Sequence, residues 1–195
     1  MTTKKPRTLQ FRRKKEGKTN YKKRLTLLMS GKNRLVIRKA LNNLTLQIIE
    51  YSPDGDLVLF SSNSKELIKY GWKAHRGNVP AAYLTGLLLG QKAKDKIKDC
   101  IIDIGLYPSK KGARIYAALK GVIDSGIKIK CAEKVFPKEE RIFGKHIENY
   151  ALSMQKENKE KYGKVFSIYL KNNVDPTKIT EHFEKSKKSI LESRK

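Results

Sequence analysis

Arg34-Leu35-Val36-Ile37-Arg38-Lys39, Leu44-Thr45-Leu46-Gln47-Ile48-Ile49-Glu50-Tyr51 and Leu57-Val58-Leu59-Phe60-Ser61-Ser62 follow one another closely in the sequence. Each run is rich in Leu, Ile and Val, partly alternates with polar residues, and is bounded by turn-forming residues, the pattern of a β-strand. Ser30-Gly31-Lys32-Asn33 precedes the first run as a turn signal. Ser52-Pro53-Asp54-Gly55-Asp56 separates the second from the third and reads as a hairpin loop. Three strands joined by short links predict an antiparallel meander.

Working outward, residues 63–68 hold one possible helical turn, and Tyr70-Gly71-Trp72-Lys73-Ala74-His75-Arg76-Gly77-Asn78 reads as an irregular loop. Asn78-Val79-Pro80 is a helix start, a capping side chain with Pro in the first turn. That helix is expected to run to about residue 96, with Ala81, Leu84, Leu87, Leu88 and Ala93 on its apolar face. The spacing of Gly86 and Gly90 within it suits close helix packing. Cys100-Ile101-Ile102-Asp103-Ile104 reads as a fourth strand, a second helix is expected over 113–125 with Gly126 as its stop, and Ile127-Lys128-Ile129 as a last strand. A helix between strands three and four implies a crossover to parallel pairing. Beyond Pro137 the chain turns helical and charged. Helices are expected over 139–154, over 165–170 and after Asp175-Pro176, the last with Ile179, Phe183 and Ile190 on its apolar side.

The expected fold is α/β tending to α+β, a mixed sheet with an antiparallel three-strand meander and helices packed on it. A basic N-terminal arm (1–24) precedes the mixed-sheet domain (25–130), and a helical C-terminal extension (131–195) follows. The arm carries eleven Lys and Arg against one acid, Glu16. A segment this charged buries too little apolar surface to offset its ordering entropy, so it is expected to stay disordered or to fold onto an anion. The whole chain has a formal charge of +25, of which +10 falls in residues 1–24, +8 in 25–127 and +7 in 128–195. Self-repulsion of this size points to a polyanionic partner.

Nucleic acid fits better than a membrane. There is no lipidation signal after Met1 and no amphipathic helix of the kind that lies on lipid. The apolar-looking run near residues 79–89 is about half a membrane span. No N-terminal hydrophobic stretch suggests secretion, and Cys100 and Cys131 form no CxxC pair, which fits a reduced, cytoplasmic setting with both packed as small apolar residues. Gly17-Lys18-Thr19 lacks the earlier glycine of a phosphate-binding loop, Arg12 standing in its place. His75, His146 and His182 have no ligand-spaced partners. A metal-dependent nuclease would use Asp103, but Asp54, Asp56, Asp95, Asp99 and Asp124 read as solvated turn and cap acids. No catalytic residue, metal, cofactor or small-molecule substrate is therefore expected.

The candidate binding residues are Lys5, Arg7, Arg12, Arg13, Lys14, Lys15, Lys18, Tyr21, Lys22 and Arg24 in the arm, with Arg34, Arg38 and Lys39 on the first strand. Tyr70, Trp72, Lys73 and Arg76 put two aromatics and two cations in one loop, the chemistry that holds unstacked RNA bases. Lys110, Lys111 and Arg114 stand at a helix opening, where backbone amides and the dipole favour phosphate. Structured RNA is preferred to duplex DNA because no helix shows a major-groove recognition face.

Several strings together resemble one family. They are Arg12 through Leu25, Ser30-Gly31-Lys32-Asn33-Arg34-Leu35-Val36, Tyr70-Gly71-Trp72-Lys73, Gly77-Asn78-Val79-Pro80-Ala81-Ala82-Tyr83-Leu84-Thr85-Gly86 and Asp103-Ile104-Gly105-Leu106. In the tail, Gly144-Lys145-His146-Ile147-Glu148-Asn149-Tyr150 and Glu181-His182-Phe183 belong with them. The chain resembles the large-subunit ribosomal protein family numbered eighteen, in its archaeal form. That resemblance implies a structural protein that binds 5S rRNA, contacts 23S rRNA and sits in the central protuberance of the large subunit. It also implies neighbouring ribosomal proteins, including the 5S-binding family numbered five.

Overall fold

In the computed structural model, which describes residues 9–193, the basic arm forms two short helices, α1 (Arg12–Lys15) and α2 (Tyr21–Leu28). The expectation of a wholly disordered arm is corrected here, and the boundary at residue 24 falls inside α2. Phe11 and Tyr21 stack with ring centroids 4.9 Å apart, Arg13 donates to Thr19 Oγ1 at 3.0 Å, and Asn20 caps α2 by accepting from the Lys23 amide at 3.1 Å. Gly17, at φ +62°, makes the turn between the helices. Lys5 and Arg7 lie outside the described residues.

The meander forms as expected, with β1 (Arg34–Lys39), β2 (Leu44–Glu50) and β3 (Leu57–Asn63) antiparallel in turn. β4 (Ile101–Asp103) pairs parallel to β1, so the sheet order is β3-β2-β1-β4. Side chains alternate across the pleat. Leu35 and Ile37 face inward opposite Ile48 and Leu46, all at most 1 % exposed, while Arg34, Val36 and Arg38 stand on the outer face opposite Ile49, Gln47 and Thr45. The strand expected over 127–129 is reduced to a single bridge between Lys128 and Asp99.

The inner face of the sheet packs on α3 (Val79–Ala93), which is shorter than the sequence pattern predicts. Asn78 accepts from the Ala81 amide at 2.8 Å and Pro80 occupies the first turn, as the start signal requires. Every residue of α3 except Lys92 is buried. An all-round buried helix needs neighbours on all sides, and α4 (Arg114–Asp124) is the nearest of them. A Cβ at Gly86 would run into the Ala118 carbonyl, and one at Gly121 into the Tyr83 carbonyl. The glycine spacing noted in the sequence is thus a backbone-to-backbone approach of two helices.

The tail continues as α5 (Glu139–Phe143), α6 (Lys145–Glu157), α7 (Lys159–Val165), α8 (Ser167–Lys171) and α9 (Ile179–Glu192). The single helix expected over 139–154 is broken at Gly144, φ +94°, where a Cβ would press on Ile179 at 3.1 Å and Pro80 at 3.3 Å. Phe183 is fully buried between Phe143 and Tyr83, ring centroids 5.4 and 5.7 Å away. The tail helices therefore share one apolar core with the sheet, running from Leu35 to Ile190. Among the described residues, no helix is long and apolar enough to cross a membrane.

Overpacking the α3–α4 contact should be costly. Gly86→Ala is expected to lower unfolding stability by about 1–3 kcal/mol, whereas Gly163→Ala, in α7 with open space around it, should be neutral or stabilising. Chemical denaturation of both variants checks this.

Candidate nucleic-acid interface

The outer face of the sheet is roofed on one side by the folded arm. Between them lies a cleft of about 700 Å³. Arg13, Lys18, Lys23 and Arg24 line it from the arm, Arg34 and Arg38 from β1, and residues 103–107 close its end. Six cations thus face two acids, Asp56 and Asp103. Arg12, Lys14, Lys15, Lys18 and Lys22 are exposed along the arm, and Arg38 is exposed on the sheet. The sequence-predicted arm and β1 residues are therefore brought to one surface. Their cations are spaced over two elements that an extended polyanion can span.

A buried ion network holds the cleft together. Arg34, only 3 % exposed, donates to Asp56 Oδ2 at 2.7 Å and to Asp103 Oδ2 at 3.0 Å. Arg24 donates to both Asp56 oxygens at 3.0 Å. Asp103 also accepts from the Gly105 amide at 2.9 Å, and Lys23 reaches the Gly105 carbonyl at 3.0 Å. Arg34 is corrected from an RNA-contacting residue to an internal one, because β1 pairs on both sides and its guanidinium is covered by the arm. The reading of Asp56 as a solvated turn acid is corrected as well. Asp99, which pairs with Lys32, and Asp124, which accepts from the Tyr83 hydroxyl at 2.8 Å, are likewise engaged within the chain. The two carboxylates nearest the cleft are occupied by guanidinium groups of the chain itself, an arrangement unlike a pair of metal-binding acids. Among the described residues, no group of three or more His, Cys, Asp or Glu is placed to hold a metal.

The aromatic loop is only partly available. Trp72 is fully buried, with its indole N–H donating to the His75 carbonyl at 3.3 Å, so it anchors the loop in the core and stacks on no base. Tyr70 is half-buried against the core. Lys73 and Arg76 remain on a different groove, which Lys171 and Asn172 of the tail also line. Arg114 donates to the Gly77 carbonyl at 2.5 Å and so ties α4 to this loop. Lys39 lies over the Tyr107 ring at 5.0 Å. Lys110 and Lys111 are exposed, but α4 begins only at Arg114, and the Gly112 amide is spent on the Val135 carbonyl at 2.9 Å. Lys111 instead faces a groove with Lys138, Arg141 and Lys145 of the tail. Cys100 is buried and its thiol is pushed up to about 11, chiefly by that burial, while Cys131 is only half-buried.

Lys23, Lys138, Arg141 and Lys145 were not singled out by the sequence. Lys23 differs from its neighbours only by its position on the helix turn, and the tail cations become a set only when α5 and α6 fold against the 110–112 loop.

The sequence model of a family described as ribosomal large subunit proteins 60S L5 and 50S L18 matches residues 6–99 and 92–132. A relative from Methanococcus maripaludis, named large ribosomal subunit protein uL18, is 52 % identical over 182 residues, covering 93 % of this chain and 94 % of its own length.

One titration follows from the loop geometry. His75 accepts from the Gly77 amide at 3.1 Å, and burial first, then Arg114 and Arg76, hold its pKa below the ordinary 6.5. The folded state therefore binds this proton less readily than the unfolded chain. Stability is expected to be undiminished above pH 6.5 and to decline as pH falls below it, until the lowered folded pKa is passed. Denaturation measured from pH 7.5 to 5 should show a shallower decline in His75→Gln than in the natural chain.

Proposed function

The chain belongs to the family of ribosomal large-subunit proteins that includes 60S L5 and 50S L18, and from that membership we propose that it is a structural constituent of the large subunit that binds 5S rRNA. On this reading it also contacts 23S rRNA and helps attach 5S rRNA in the central protuberance of cytoplasmic ribosomes. Neighbouring large-subunit proteins, including the 5S-binding family numbered five, would meet it there. The observation that carries the RNA reading is the cleft, where six cations from the arm and the outer sheet face surround two acids that are already paired.

The arm supplies phosphate contacts, and the folded domain supplies the surface that selects one RNA shape. Phosphate contacts fix register and carry most of the salt dependence, whereas selection requires fixed geometry. The outer sheet face has that fixity because its register is set by three pairings. The Lys111–Lys145 groove and the Lys73–Arg76 groove give further basic surface for a second RNA segment.

Binding to 5S rRNA should weaken steeply with salt. Deleting residues 1–24 removes Arg13, Lys18, Lys23 and Arg24 from the cleft. The loss of four phosphate contacts is expected to reduce the log–log salt slope by about 3. Filter binding across a salt series checks this, and an unchanged slope would remove the arm from the interface. Equal affinity for bulk tRNA in the same assay would replace the 5S-specific reading with a general RNA-binding one.

A further inference from the structure

Helix α2 is held in place in an unusual way. It is eight residues long, a length at which an isolated helix is marginal in water. None of its residues is buried, and Leu25 is 61 % exposed. Apolar packing therefore contributes little to its position. What ties it to the sheet is polar and comes from two successive residues. Arg24 grips Asp56 with both carboxylate oxygens, and Lys23 grips the Gly105 carbonyl.

Asp56 is itself immobilised from beneath. It receives Arg34 from β1, and Arg34 receives its second carboxylate from Asp103 at the end of β4. The Arg34 side chain is 4 % exposed and Asp103 14 %, so this base is shielded from solvent. Asp56 thus joins a rigid, buried anchor to a cation of an otherwise weakly held helix.

Resting on the RNA-binding reading above, we propose that Asp56 is the positioning residue of the arm, fixing α2 over the outer sheet face before RNA arrives. An arm already placed loses less conformational freedom on binding, which raises affinity without adding a contact. The sign of its effect is opposite to simple electrostatics. Removing an acid from a cationic RNA-facing cleft should strengthen binding by charge alone, whereas removing a positioning acid weakens it.

The test compares three full-length variants. Asp56→Asn removes the tether and adds one unit of positive charge. Arg24→Gln removes the tether from the arm side and leaves the Arg34–Asp56–Asp103 base intact, so it keeps the test valid if Asp56→Asn folds poorly. Lys22→Gln, at an exposed neighbour on the same helix, loses the same charge as Arg24→Gln without touching the tether. Amide hydrogen exchange of the free protein is read across residues 24–28, and affinity for 5S rRNA is read at fixed salt. Asp56→Asn and Arg24→Gln are expected to speed exchange about tenfold, as a partly shielded pair is worth more than an exposed one, and Lys22→Gln to leave it unchanged. Asp56→Asn should bind several-fold more weakly than the natural chain, and Arg24→Gln more weakly than Lys22→Gln. Unchanged exchange in both tether variants overturns the proposal, and so does a folded Asp56→Asn that binds RNA as tightly as the natural chain or tighter. So do equal affinities for Arg24→Gln and Lys22→Gln. Failure of the natural chain to bind 5S rRNA would instead refute the RNA reading, with the exchange data still deciding whether Asp56 places the helix.

Discussion

The contact between α3 and α4 sets the rest of the structure. Gly86 and Gly121 let the two backbones approach until each lies against a carbonyl of the other helix. That approach covers one flank of α3 completely. The sheet covers another flank through Leu35, Ile37, Leu46 and Ile48, and the tail covers a third through Phe183. With its inner face consumed in this way, the sheet is left with its outer face to present. The placement of the basic cleft is thus a by-product of how tightly two helices pack on the opposite side.

Much of this was legible in the sequence, for identifiable reasons. The alternation in residues 34–62 and the turn residues at 52–56 gave the meander and its hairpin. The Asn78 cap and Pro80 marked the start of α3, and the crossover to a parallel β4 followed from the intervening helix. What escaped depended on contacts between distant residues. Gly144 breaks the 139–157 stretch because Ile179 and Pro80 press against it, and neither is near it in sequence. Residues 127–129 have the composition of a strand, yet only Lys128 finds a partner. In the interface, the arm cations and Arg38 could be named from charge density alone. Arg34 and Trp72 could not be sorted from them, because burial is decided by what folds over a residue and not by its type.

The acids show how a chain with 44 basic and 19 acidic residues stays folded. Asp56, Asp103, Asp99 and Glu66 each sit within ion-pair distance of a cation that joins separate elements. Acids used as internal ties neutralise the cations that packing forces together. The remaining Lys and Arg are left on the surface with few negative neighbours, which sharpens the positive field there. Compactness and attraction for a polyanion are therefore served by the same uneven distribution.

The stacking of Tyr83 on Phe183 has a bearing on how the chain is made. The second ring is translated about 100 residues after the first, some 5–20 s later at ordinary elongation rates. During that interval the nascent sheet, α3 and α4 can assemble, but the flank of α3 that Phe183 seals has nothing against it. The cationic leader emerges first and meets the polyanion-rich surroundings of the translating machinery while the core behind it is still open. Vectorial synthesis thus separates the appearance of the ligand-seeking segment from completion of the body that orients it, and the last helix acts as the closing piece for both.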